Sequence, residues 1–251
     1  MALGMAAATA ETIPRPRQKP ALDRADRLAI PLPRQKPKRS GPRTGRPVAA
    51  WPAAEGDWAT GDVAAAREAC RSLMAGIEAC WTPLAPIGRP GACGHPAPIE
   101  LASVAGIAID PPAIVNCSFA HAFHDWLTQS VQPAARARLD TRVIRVHNAA
   151  SYVCRSRNNQ PGAKMSEHAR ANALDMSGFD FEARGSAAVA DGWGGLLSSI
   201  GLSRNGSFLD RIRGEACGHF STVLGPGSDA FHGNHFHVDT MVRKNGWRIC
   251  Q

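Results

Sequence analysis

No run in the chain approaches about 18 consecutive apolar residues, so a membrane-spanning helix is not expected. Residues 1–50 contain no aromatic side chain. Without rings on which bases can stack, that segment is a poor partner for single-stranded nucleic acid. The seven cysteines form no Cys-x-x-Cys pair, which removes the usual support for a zinc finger. The start of the chain also lacks the basic opening of a secretory signal, although Ala6-Ala7-Ala8-Thr9-Ala10 resembles the end of one. Acidic residues are scarce at the N-terminus: residues 1–50 hold 3 Asp+Glu against 11 Lys+Arg, a net of +8. The remaining 201 residues hold 18 of each sign and are neutral overall.

The basic balance therefore belongs to the N-terminal segment. That segment carries 8 of the 19 prolines and repeats Pro-Arg-Gln-Lys-Pro at 16–20 and 33–37. Such a composition cannot bury a core, and residues 1–60 are expected to be a disordered basic, Pro-rich tail or linker. It is either a solvated spacer or a device that attracts an anionic envelope polymer. Residues 61–251 are long enough for one domain.

The cysteines, Cys70, Cys80, Cys93, Cys117, Cys154, Cys217 and Cys250, are dispersed. Dispersed cysteines suit disulfides in an oxidising compartment such as the periplasm or cell envelope. The alternative is a set of buried thiols in a cytosolic protein. Seven is odd, so at least one cysteine is free.

Apolar spacing outlines an α+β domain, with helices packed on a small, mainly antiparallel sheet. Asp62 suits an N-cap, followed by Val63, Ala66, Cys70, Leu73 and Ile77 on one helical face. Residues 81–100 are rich in Pro and Gly and are expected to form a loop around Cys93. Pro111–Leu139 is expected to hold one or two helices, with Phe119, Phe123, Trp126 and Leu127 at helical spacing and Pro133 restarting or kinking the chain. Val143–Val146 and Asn234–Met241 are expected as strands, and Phe208–Phe220 as a helix.

The chemistry concentrates in two blocks: Ser166-Glu167-His168-Ala169-Arg170-Ala171-Asn172-Ala173-Leu174-Asp175 and His232-Gly233-Asn234-His235-Phe236-His237-Val238-Asp239. Catalytic zinc takes three N or O ligands and leaves one position for water. His168, Asp175 and His237 would supply that set. On a strand His235, His237 and Asp239 share a face, which places a candidate base, His235, beside a candidate ligand. Asp239 could orient either histidine by accepting a ring N–H. His232 would sit on the entering turn and close over the site. His168 and Asp175 are seven apart, and on one helix they would stand about 10.5 Å apart along the axis. Both can reach one ion only if a turn follows His168 and a strand carries Asp175, with Gly178 as a bulge.

These blocks resemble the zinc site of the D-alanyl-D-alanine carboxypeptidase-like peptidases. In that group a Ser-x-His-x-x-Gly-x-x-x-Asp motif precedes a final ligand histidine. Ser166, His168, Asp175 and His237 match it, and Ala171 stands where Gly is usual. That position needs either a left-handed backbone or merely a small side chain. Ser151-Tyr152-Val153-Cys154-Arg155 is similar to the segment whose Arg binds substrate. Over residues 65–251 the chain resembles the bacterial extensin-like C-terminal domain family. The matching features are Pro133-Ala134-Ala135, Ser151-Tyr152-x-Cys154-Arg155, Ser166-Glu167-His168-Ala169, Asn172-Ala173-x-Asp175, Thr222–Pro226 and His235-Phe236-His237-x-Asp239. The resemblance implies a zinc metallopeptidase acting on cell-wall (peptidoglycan) peptides. In it His168, Asp175 and His237 hold zinc, His235 and His232 move protons, and Arg155, Tyr152 and Ser151 position substrate. It also implies that Cys80 is the unpaired cysteine. The competing expectation is a non-catalytic envelope module that keeps zinc for stability.

Overall fold

The apolar faces read from the sequence meet around one aromatic core. A computed structural model describes residues 49–192 and 203–251. The basic segment, residues 1–48, lies outside the described residues, and with it most of the expected tail; the tail's last part, residues 49–60, is described, with Trp51 packed against the core and Trp58 Nε1–H donating to the Ile87 carbonyl at 3.0 Å.

Helix α1 spans Thr60–Met74 and buries Val63, Cys70 and Met74. It begins two residues before Asp62, which sits in the first turn, where a carboxylate favours the positive end of the helix dipole. Ala59 holds the cap position without a side-chain hydrogen bond. Residues 79–115 hold more strand than their Pro and Gly content suggested. They form β1 (Ala79–Pro83), the short hairpin β2 (Ile87–Gly88) and β3 (Gly94–His95), then β4 (Ile99–Val104) and β5 (Ile107–Val115).

The reading of Pro111–Val115 as helix is overturned, because these residues finish β5. Pro111 and Pro112 fit a strand here because the β4–β5 register jumps between Leu101–Ala113 and Ser103–Ala108. The prolines sit in that irregularity, where no ladder N–H is required.

The helix proper starts at Cys117. Asn116 caps it by accepting the Phe119 N–H at 2.8 Å. Helix α2 (Cys117–Trp126) buries Phe119, Ala120, Phe123 and Trp126. It runs through a π-helical turn, Leu127–Val131, into α3 (Gln132–Leu139), with Pro133 in the first turn of α3. The π-helical turn just before it shifts the hydrogen-bond register at a proline that has no N–H to donate. Helix α4 (Arg204–Ala216) is capped by Ser203 and buries Phe208, Leu209, Ile212 and Ala216. Phe220 lies beyond its end but stays in the core.

The remaining strands are β6 (Val143–Ala150), β7 (Ala173–Phe181), β8 (Ser186–Ala188), β9 (Thr222–Leu224), β10 (Phe236–Asp239) and β11 (Ile249–Cys250). The sheet is larger than expected, with nine strands in the order β1-β4-β5-β6-β7-β10-β9-β11 and β8 on β7. It is also mixed, because β5–β6 and β9–β11 pair in parallel. Phe119, Phe123, Trp126, Phe179, Phe208 and Phe220 form its aromatic core, and Trp126 Nε1–H donates to the Ile212 carbonyl at 3.0 Å.

Disulfides join Cys70 to Cys117, Cys93 to Cys154 and Cys217 to Cys250, leaving Cys80 free. On a chain-entropy account, loops of this length make each bridge worth about 4 kcal/mol. No described helix is long and apolar enough to cross a membrane.

Candidate metal centre

The distance problem posed by His168 and Asp175 is solved by a break in the helix. Ser166 starts a single 3-10 turn, Glu167–Arg170, and its hydroxyl accepts the His168 N–H. Ala171 ends that turn in a left-handed conformation, φ 53°. Two residues later β7 begins and carries Asp175. Glu167 is buried and ties the turn together, accepting from Arg170 at 2.7 Å and from Asn172 at 2.8 Å. Asn116 does the same from outside, its N–H donating to the Ala171 carbonyl at 2.6 Å.

Strand register supplies the third group. His237 on β10 lies directly opposite Asp175 on β7. Cross-strand partners project to the same face. His168 Nε2, Asp175 Oδ1 and His237 Nδ1 therefore converge. His168 Nε2 is 3.1 Å from each of the other two atoms, and Asp175 Oδ1 is 2.8 Å from His237 Nδ1. All three residues are buried.

The outer nitrogens decide what these atoms can do. His168 Nδ1–H donates to the Ser151 carbonyl at 2.6 Å, which leaves Nε2 as a bare lone pair. His237 Nε2–H donates to Asp239 Oδ2 at 3.3 Å, so the inward Nδ1 is bare as well. The carboxylate between them only accepts. Three lone pairs facing one point repel unless a cation sits among them. Ligand atoms about 2.0–2.1 Å from a tetrahedral zinc stand roughly 3.3 Å apart, so the group needs only a slight opening. Without a metal, a proton does this work. Burial alone would lower the His237 pKa, but hydrogen bonds and charge from Asp175 and Asp239 outweigh it and raise it to about 9. Burial would raise Asp175, yet the two histidines hold its carboxyl far below the usual range.

His235 precedes β10 rather than lying in it, but its Nε2 points to the same place, 3.7 Å from Asp175 Oδ1. Its Nδ1–H donates to the Asn234 side chain at 2.9 Å. Burial pushes its pKa below the ordinary value; His232, His237 and His168 push the same way, against Asp175. A neutral imidazole with a free Nε2 can accept a proton. His232 is buried, with its ring centroid 5.2 Å from that of His235 and 5.7 Å from that of His237. Its Nδ1–H donates to Asp229 Oδ1 at 2.7 Å. The same oxygen accepts the N–H groups of Phe231 and His232.

A cavity of about 470 Å³ opens above the cluster, lined in part by Arg155, Arg157, His235 and Arg243. Of the residues expected to position a substrate, Arg155 reaches this cavity, whereas Ser151 and Tyr152 are not in its lining. The Ser151 hydroxyl is turned away to accept the Ile114 N–H, and its carbonyl orients His168. A backbone acceptor leaves no mark in sequence. Asp229 was also missed, although an Asp three residues before a His on a turn is a recognisable Asx arrangement.

The other histidines stay apart from the cluster. His121 and His124 pair with Asp125 on α2, and His147 pairs with Asp180.

The sequence profile described as "Extensin-like protein C-terminus" matches residues 68–251. The chain belongs to this family. No curated protein and no solved structure matches it significantly. The family assignment covers α1 through β11 and so includes every residue of the cluster.

Proposed function

We propose that this extensin-like chain is a zinc-dependent hydrolase of peptide bonds in cell-wall peptides. The motif likeness to D-alanyl-D-alanine carboxypeptidase-like peptidases points the same way. The observation that carries the reading is the meeting of three bare ligand atoms, 2.8–3.1 Å apart, at an open cavity. His168, Asp175 and His237 would hold the ion. Zinc bound there supplies Lewis acidity and a water that ionises near neutral pH.

The remaining work falls to the chain. His235 Nε2 takes a proton from the attacking water and returns it to the leaving amine. His232, fixed by Asp229, flanks that exchange. Arg155 offers a guanidinium fork to a substrate carboxylate. Asp239 and the Ser151 carbonyl keep the two ligand rings in the tautomers that metal binding requires. Three disulfides favour an oxidising, envelope location.

The test is hydrolysis of purified muropeptides by the full chain, read by mass spectrometry. Cleavage should stop on chelation and return with zinc. His235→Ala should keep its zinc and lose about 100-fold or more in turnover. Cleavage indifferent to chelation would sink the reading, and full activity in His235→Ala would remove the proposed base.

A further inference from the structure

The cavity's charges are unevenly matched. Its four side-chain carboxylates are all engaged by protein partners: Glu167 by Arg170 and Asn172, Asp175 by His168 and His237, Asp229 by His232, and Asp239 by His237. Its arginines are not matched in return. Among the described residues, neither Arg155 nor Arg157 has a carboxylate partner. Arg155 has only a 3.5 Å contact to the Ser156 carbonyl, and Arg157 one at 3.3 Å to the Met241 sulfur. Arg243 also lacks a carboxylate, but it is anchored by the Ser221 carbonyl, the Thr222 hydroxyl and the Trp247 carbonyl, so it adds charge rather than free donors.

Both free guanidinium groups belong to one pinned segment that lines the cavity. Ser156 between them is extended, φ −69° and ψ 165°. Its bridge to Met165 pins the segment, as do hydrogen bonds from Ser166 N–H to the Arg155 carbonyl and from Arg157 N–H to the Lys164 carbonyl. Both arginines line the cavity, and so does Asn158, the next residue.

We propose that Arg155 and Arg157 form a double lip that selects peptides carrying at least two free carboxylates, one for each fork, with Arg157 as the specificity-determining residue. This rests on the cavity being a peptide site. A guanidinium binds a carboxylate bidentately, so two forks on one segment reward a second carboxylate that a single arginine would ignore. A bound divalent cation would add to the attraction. Most of the binding charge is then held at the cavity mouth, away from the reacting bond.

The test uses the full chain carrying His235→Ala, so that turnover does not consume the probe. Calorimetry compares acetyl-Ala-Glu-Ala-Ala with its C-terminal amide and with its Gln analogue. The diacid should bind about tenfold tighter than either monoacid, as expected for one charge-assisted hydrogen-bonded pair. Adding Arg157→Gln should bring the diacid down to the affinity of the monoacid whose carboxylate Arg155 holds, leave that monoacid within about twofold and weaken the other. Its melting temperature should not move, because the side chain is exposed and makes no ion pair. Equal binding of all three peptides, no binding of the diacid, or an equal loss for every peptide in Arg157→Gln would overturn the proposal. Zinc content and cleavage are scored separately, so a failed hydrolase reading leaves this comparison standing.

Discussion

Ala171 sits in a left-handed conformation with no solvent exposure, at the turn that separates His168 from β7. The sequence left two explanations for the glycine usual at this point, and the backbone angle selects the first. A non-glycine residue there carries a cost of about 1 kcal/mol. That cost is met by the hydrogen bonds that lock the turn. A β-branched side chain would add a steric clash in a buried place. Ala171→Val should lose about 2 kcal/mol or more, read as a lower urea midpoint. An unchanged midpoint would show that the turn is not fixed as described. His95 supplies a second residue-level test. Burial lowers its pKa from 6.5 to about 4. The unfolded chain takes up this proton near 6.5 and the folded chain only near 4. Stability from this group is therefore full above pH 6.5 and drains away as pH falls towards 4. Thermal melts between these limits should fall less steeply for His95→Gln than for the wild type, and parallel curves would contradict the assignment.

At the scale of elements, β7 organises the site. Its register against β6 slips near His147–Gly178, leaving Ser177 as an extra residue, and slips back at Ala149. The bulge anticipated at Gly178 falls one residue earlier, at Ser177, with Gly178 itself paired to His147. Gly178 has a further constraint, because a Cβ there would lie 2.9 Å from the Ala187 carbonyl of β8. Gly178→Ala should push β8 off the sheet at a cost of about 1–3 kcal/mol, with faster amide exchange in Ser186–Ala188. Slow exchange in that variant would show that β8 tolerates the contact. Helical faces were legible because 3.6-residue spacing survives tertiary packing: Phe119, Phe123, Trp126, Phe208 and Ile212 are all buried. Strands β1, β4 and β5 were not read from the sequence. Prolines hid the end of β5, and β4 begins inside the segment 81–100 read as a Pro- and Gly-rich loop. The parallel β5–β6 pairing depends on where a chain returns after three helical segments, which local pattern does not encode.

For the molecule as a whole, the His168–Asp175–His237 group joins parts that lie far apart in sequence: a turn at 168, a strand at 175 and another at 237. Motif spacing exposed the ligand types, because two histidines and a carboxylate recur in a recognisable order. It did not expose the carbonyl of Ser151, the carboxylate of Asp229 or Arg157 beside the already expected Arg155, because their placement depends on how the sheet closes. Cys80 emerges as the unpaired cysteine, in agreement with the family resemblance. Two of the three bridges end beside the cavity, at Cys154 next to Arg155 and at Cys250 between Ile249 and Gln251. The third staples α1 to α2. The central claim is that His168, Asp175 and His237 hold a single zinc ion. Elemental analysis of the purified full chain, beside the His168→Ala/His237→Ala double variant, measures it directly. About one zinc per chain is expected in the wild type and none in the variant. No metal in either, with no uptake when zinc is offered, would contradict it.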